Sequence, residues 1–146
     1  MAEGVKAEIR IAVAARANYL CEYCLIAEED TFFGCHVDHI ISIKHGGESN
    51  VDNLALACAF CNRFKGSDIA SLLWETRALV RFFNPRVDRW SDHFQLAGLS
   101  IHPRTEIGEV TVRILRLNDN ERILERQELS KIGRYPNIDA LARVEG

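Results

Sequence analysis

Several things are scarce in this sequence. Its 146 residues include only three prolines, one methionine and two tryptophans. So few prolines, together with 47% hydrophobic residues, exclude a collagen-like chain and argue against a disordered one. No apolar run reaches the roughly 18 residues that a membrane span needs, so no membrane partner is expected. The first ten residues carry Glu3 and Glu8 and lack the layout of a secretory signal, which predicts a cytoplasmic location. Positive charge is not in excess either: 18 Lys/Arg against 21 Asp/Glu leave a net charge of −3. Taken alone, that balance argues mildly against a nucleic-acid partner. The length predicts one domain, residues 1–146, with a core large enough to fold alone.

The net charge hides a gradient. Residues 1–57 hold 4 Lys/Arg against 9 Asp/Glu, whereas residues 58–90 hold 6 against 3. The basic residues of that middle stretch are Arg63, Lys65, Arg77, Arg81, Arg86 and Arg89. A basic track along a phosphate backbone and an ordinary solvated surface are equal readings of the last four.

Cysteine is the residue present with a pattern. In a chain expected in a reducing compartment, five cysteines read as metal ligands or reactive thiols before disulfides. Four form two pairs, Cys21-x-x-Cys24 and Cys58-x-x-Cys61. Each pair can place two thiolates on one ion, and two pairs complete a tetrahedral site. The 33 residues between the pairs exceed the roughly 15–20 of a compact zinc ribbon, so the ion closes a larger loop. Buried unliganded cysteines or redox pairs are the alternatives; structural Zn²⁺ is favoured. Four protein ligands leave no open position, so this ion is expected to be structural. Cys35 is left over and reads as a small buried apolar residue.

The remaining elements follow from periodicity. Val5, Ile9, Val13, Ala17 and Leu20 predict an N-terminal helix over residues 4–20. A strand is expected over 36–43, a glycine loop at 45–50, a second strand over 54–57 and a short helix over 58–65 ending at Gly66. Residues 71–83 fit either a helix or a hairpin, with the hairpin favoured. A strand pair is expected around Gly98, and a helix after Thr105 as N-cap. Asn118 to Glu121 predicts a capping box opening a helix to Ile132, and the last dozen residues show no pattern.

The order Cys21-x-x-Cys24, Val37-Asp38-His39-Ile40, Gly46-Gly47, Asn53-Leu54, Cys58-x-x-Cys61-Asn62, Lys65-Gly66 resembles the HNH endonuclease family. The likeness covers residues 21–66; a looser one, at Phe83 to Arg86 and Trp90, is to small stand-alone bacterial HNH proteins. It implies a ββα-metal finger; joined to the zinc frame and the elements read above, the expected fold is α+β, with this finger preceded by the N-terminal helix and followed by a small β-hairpin plus C-terminal helices over 67–146. It implies that His39 is the general base and that Asp38 and Asn62 hold a catalytic Mg²⁺ or Mn²⁺. Two oxygen ligands suit those ions better than zinc. Asn53 matches the family's middle asparagine and is expected to brace the loop beside His39. Lys65 matches a lysine common in the family. Arg63 and Lys65 are the candidate phosphate contacts, and duplex DNA is the expected partner.

The residues support that chemistry independently. Phosphodiester hydrolysis needs an activated water and neutralised phosphate oxygens. A neutral imidazole, with an ordinary pKa of about 6.5, takes a proton from water near pH 7. One hard cation can bind a phosphate oxygen and the leaving oxygen together. Adjacent Asp38 and His39 point to opposite faces of a strand, so one can ligate while the other reaches the water. His36 shares the face of Asp38, but a structural or surface role is favoured for it. The rival readings are a catalytically inactive zinc-knuckle DNA-binding module and a thiol redox protein; no βαβ pattern supports the second.

Overall fold

The computed structural model describes residues 5–146. The first helix, α1 (Ala7–Arg16), is shorter than its apolar spacing predicts. Asn18 and Tyr19 take φ of 55° and 58°, and two left-handed residues in a row end the i→i−4 ladder. Residue 4, where the helix was expected to begin, lies outside the described residues. The chain then turns through the first cysteine pair, closed by the Cys21 N–H on the Ile26 carbonyl at 2.8 Å.

Strands β1 (Cys35–His39) and β2 (Leu54–Cys58) pair antiparallel, with Cys35 opposite Cys58 and His39 opposite Leu54. Every residue of β2 is buried, which suits its run of Leu and Ala. The strand expected to continue to Ile43 stops at His39. The Asn53 side chain accepts the Ile41 N–H at 2.9 Å and donates to the Ile41 carbonyl at 2.8 Å, taking both groups a ladder would use. β2 runs directly into α2 (Ala59–Lys65), with Cys58 as N-cap and Gly66 at φ +53° as its stop.

The rest of the chain wraps this β1–β2–α2 unit. β3 (Ala70–Leu72) and β4 (Leu79–Arg81) form one antiparallel hairpin; β5 (Phe94–Ala97) and β6 (Ser100–Pro103) form another. A single helical turn, α3 (Trp90–His93), sits between them. α4 (Glu106–Ile114) starts where the Thr105 hydroxyl accepts the Gly108 N–H at 3.0 Å. α5 (Asn120–Lys131) begins without the expected capping box, because the Asn118 side chain instead bonds the N–H and carbonyl of Ile101. The patternless C-terminus holds α6 (Ile138–Glu145), capped by Asn137 on the Ala140 N–H at 2.8 Å. Asn137, just after Pro136, was the available signal.

The buried apolar residues form one cluster running from Val13 to Ala140. Its aromatic part chains Trp90 to Phe94 at 5.1 Å, Phe94 to Phe83 at 5.2 Å and Phe83 to Tyr23 at 6.2 Å. That stack ties the C-terminal part to the first cysteine pair. Among the described residues no helix is long and apolar enough to cross a membrane.

Candidate metal centre and active site

The four paired cysteines converge. Cys21 and Cys24 sit on the turn after α1, Cys58 at the junction of β2 and α2, and Cys61 in the first turn of α2. Their sulfurs all lie within 4.8 Å of one another, buried, with Cys24 and Cys58 3.7 Å apart. Four sulfurs about 2.3 Å from one Zn²⁺ in a tetrahedron would be about 3.8 Å apart, and a disulfide needs about 2.05 Å. The donor set and spacing therefore fit zinc. Hydrogen bonds from the other three cysteines hold the Cys24 thiol well below its ordinary pKa, while burial pushes Cys21 and Cys61 up. Cys35 is buried outside the cluster, and burial raises its thiol as well.

The C-terminal half supplies a shell around these cysteines that no spacing rule revealed. Arg122 of α5 is buried, and its Nη2 lies 3.0 Å from Cys61 Sγ and 3.6 Å from Cys58 Sγ. The Tyr135 hydroxyl donates to the Cys24 carbonyl at 2.8 Å, and Trp90 Nε1 donates to the Tyr23 carbonyl at 2.9 Å.

His36, Asp38, His39 and Asn62 border one cavity of about 300 Å³, which Ser42 and Ser67 also line. Asp38 is 7% exposed, and burial pushes its carboxyl above the ordinary value, with Lys65 opposing the shift. Lys65 Nζ lies 3.0 Å from Asp38 Oδ2, a buried ion pair. A buried carboxylate and an amide side chain on the same cavity are the oxygen donors that suit a hard divalent cation. Such a cation would compete with the Lys65 charge. Burial also lowers the pKa of His36, favouring its neutral form.

His39 closes β1, and its Nε2 meets Ser49 Oγ at 2.8 Å. Ser49 was missed in the sequence, where it is an ordinary loop residue. Asn53 holds that loop: besides Ile41 it donates to the Glu48 carbonyl at 2.9 Å. Gly47 packs inside the same turn, where a Cβ would stand 1.7 Å from the Ile41 carbonyl oxygen.

Two expected phosphate contacts are placed differently. Lys65 is 2% exposed, and its ammonium donates to the His39 carbonyl at 3.0 Å, so it points inward as a brace. Arg63 is exposed but shares the helix face of Phe60 and Phe64, away from Asn62. The proposed basic track is also broken. Arg81 pairs with Asp88 at 2.7 Å, and Arg86 pairs with the buried Glu22 and bonds the Leu54 carbonyl at 3.0 Å. Arg77 lies in the hairpin turn at φ 64°, outside β4. These side chains are used internally or point elsewhere.

Neither the curated proteins nor the solved structures include a match to this chain. The family model described as HNH endonuclease matches residues 21–68, the stretch that carries both cysteine pairs, β1, β2, α2 and the cavity. The likeness read from the sequence at residues 21–66 and the family match therefore fall on the same stretch of the chain.

Proposed function

We propose that the chain is a metal-dependent endonuclease that hydrolyses DNA phosphodiester bonds. The observation that carries this reading is the convergence of Asp38, His39 and Asn62 on one cavity within a segment matching the HNH family. Asp38 and Asn62 would hold a Mg²⁺ or Mn²⁺, which when bound neutralises a phosphate oxygen and the leaving oxygen. His39 takes the proton of the attacking water. The 2.8 Å contact between His39 Nε2 and Ser49 Oγ holds the orientation of the ring. Lys65 holds the His39 carbonyl and the Asp38 carboxylate together, so it positions both groups. Asn53 keeps the loop that carries Ser49 against the end of β1. The cysteine cluster, with Zn²⁺, joins the turn before β1 to the start of α2 and so sets the distance between Asp38 and Asn62.

The test is plasmid cleavage. Wild-type protein with Mg²⁺ or Mn²⁺ is expected to nick or linearise plasmid, with His39→Ala reduced by at least about a hundredfold. Equal cutting by both proteins would remove His39 from the mechanism. DNA binding with no cutting under any divalent cation would favour the inactive binding module.

A further inference from the structure

The face of α2 opposite Asn62 carries a different chemistry. Phe32 and Phe33, in the loop before β1, meet edge to face at 4.8 Å and point outward, Phe32 92% exposed. Together with Phe60 they border a cavity of about 210 Å³. Phe60 and Phe64 lie 6.5 Å apart with rings inclined by only 22°. The Arg63 guanidinium stands 4.9 Å from the Phe64 centroid and 5.5 Å from that of Phe60. Arg116 also stands 4.9 Å from Phe64. One turn earlier, Arg113 stands 4.4 Å from the ring of Trp74, which is 71% exposed at the β3–β4 turn. Aromatics and arginines therefore alternate along this surface.

Burial does not explain this strip. Phe32 and Trp74 contribute almost nothing to the core, and exposed aromatics gathered on one surface mark a binding site. Among the described residues Arg63 makes no ion pair; Arg113 donates to the Leu72 carbonyl at 2.6 Å, Arg116 faces Asp119 at 3.8 Å and Glu125 borders the Phe32 cavity. An apolar partner would leave Arg63 uncompensated. A duplex would meet the arginines but hide its base faces. A single strand offers both a phosphate for each guanidinium and a π-face for each ring.

We infer that this strip binds single-stranded nucleic acid, with bases stacked on the exposed rings and phosphates paired with Arg63 and Arg116. It deepens the nuclease reading and rests on it, giving the enzyme a substrate with an unpaired segment held across α2 from the cleavage cavity.

The two tryptophans make the test direct. Trp90 is 3% exposed with its N–H bonded to Tyr23, so only Trp74 can meet a base. Oligothymidylate, added at low salt to wild-type protein without added divalent cation, is expected to quench the Trp74 emission. Trp74→Phe should abolish the quench. Phe32→Ser/Phe33→Ser should weaken oligonucleotide affinity about tenfold. A duplex of equal length should bind more weakly and leave Trp74 unquenched. No quench, equal affinity for the duplex, or unchanged affinity in the Phe32/Phe33 variant would each overturn the inference. Plasmid cutting without a quench overturns the strip and leaves the nuclease standing. A quench without cutting supports the strip and overturns the nuclease.

Discussion

Arg122 Nη2 lies 3.0 Å from Cys61 Sγ, so a residue of the C-terminal helices completes the surroundings of a four-cysteine cluster built some sixty residues earlier. Four thiolates on one Zn²⁺ carry a net charge of about −2, and a buried guanidinium offsets half of it. Its Nη1 also donates to the Leu115 carbonyl at 2.8 Å, which anchors the end of α4 to the same point. Arg122→Met is expected to cost roughly 3 kcal/mol, the scale of breaking one partner of a buried ionic contact. Chemical denaturation of the zinc-loaded protein measures the loss. Release of zinc to a chromophoric chelator should become faster in the same variant. An unchanged release rate would show that Arg122 does not tune the centre.

Removing a ligand is a harsher change. Structural Zn²⁺ binding is worth roughly 10–16 kcal/mol in small fingers, comparable with the whole stability of a domain. Cys58→Ser removes one of the four sulfurs but keeps an N-cap oxygen that can accept the Cys61 N–H at the start of α2, so the loss it reports is that of the ligand. The variant should bind less than one zinc per chain and lose its cooperative melt. Circular dichroism and metal analysis read the two effects separately. A wild-type melt in a zinc-free variant would remove the metal from the account of stability.

Lys65 and Asp38 form a buried pair whose members are 2% and 7% exposed. Lys65→Met leaves the Asp38 carboxylate buried without its cation, at a cost of roughly 3–5 kcal/mol. Lys65→Met/Asp38→Asn removes both charges and should recover most of that stability, while cleavage stays abolished because the cation ligand is gone. Denaturation of both single variants and the double variant gives the coupling. Additive losses would mean that the pair does not interact as a unit.

The residues that carry chemistry were more legible in the sequence than the residues that hold them in place. Cysteine spacing is short-range and fixed by ligand geometry, so the two pairs announce their cluster from sequence alone. Helix starts at Thr105 and at Cys58 were visible for the same local reason. What escaped was set by contacts between distant segments. The strand beyond His39 failed because Asn53, twelve residues away from Ile41, satisfies the backbone there. The box at Asn118 failed because Ile101 claims that side chain. Lys65 reads as a surface cation on a short helix, and only the His39 carbonyl facing it shows that it turns inward. Arg86 is hidden for the same reason by Glu22. Charge counted along the chain cannot tell a side chain used internally from one left for a ligand.

Acid should weaken the fold partly through Asp88. Burial alone would raise its carboxyl, but the two bonds from Arg81 at 2.7 and 3.0 Å and the Asn84 N–H at 2.9 Å outweigh it, and the pKa is lowered. An unfolded aspartate, with a pKa near 3.9, binds a proton before the folded one does. Stability from this group is therefore complete above that value and is lost as pH falls from it through the folded value. Asp88→Asn removes the contribution at neutral pH and makes the turn from β4 to α3 less stable. The difference in melting temperature between wild type and Asp88→Asn is expected to stay constant from pH 7 to about 5 and to shrink below about pH 4. Taking the difference cancels the loss of zinc that acid causes in both proteins. A gap that persists to pH 3 would mean that Asp88 acts through its shape and hydrogen bonds rather than through its charge.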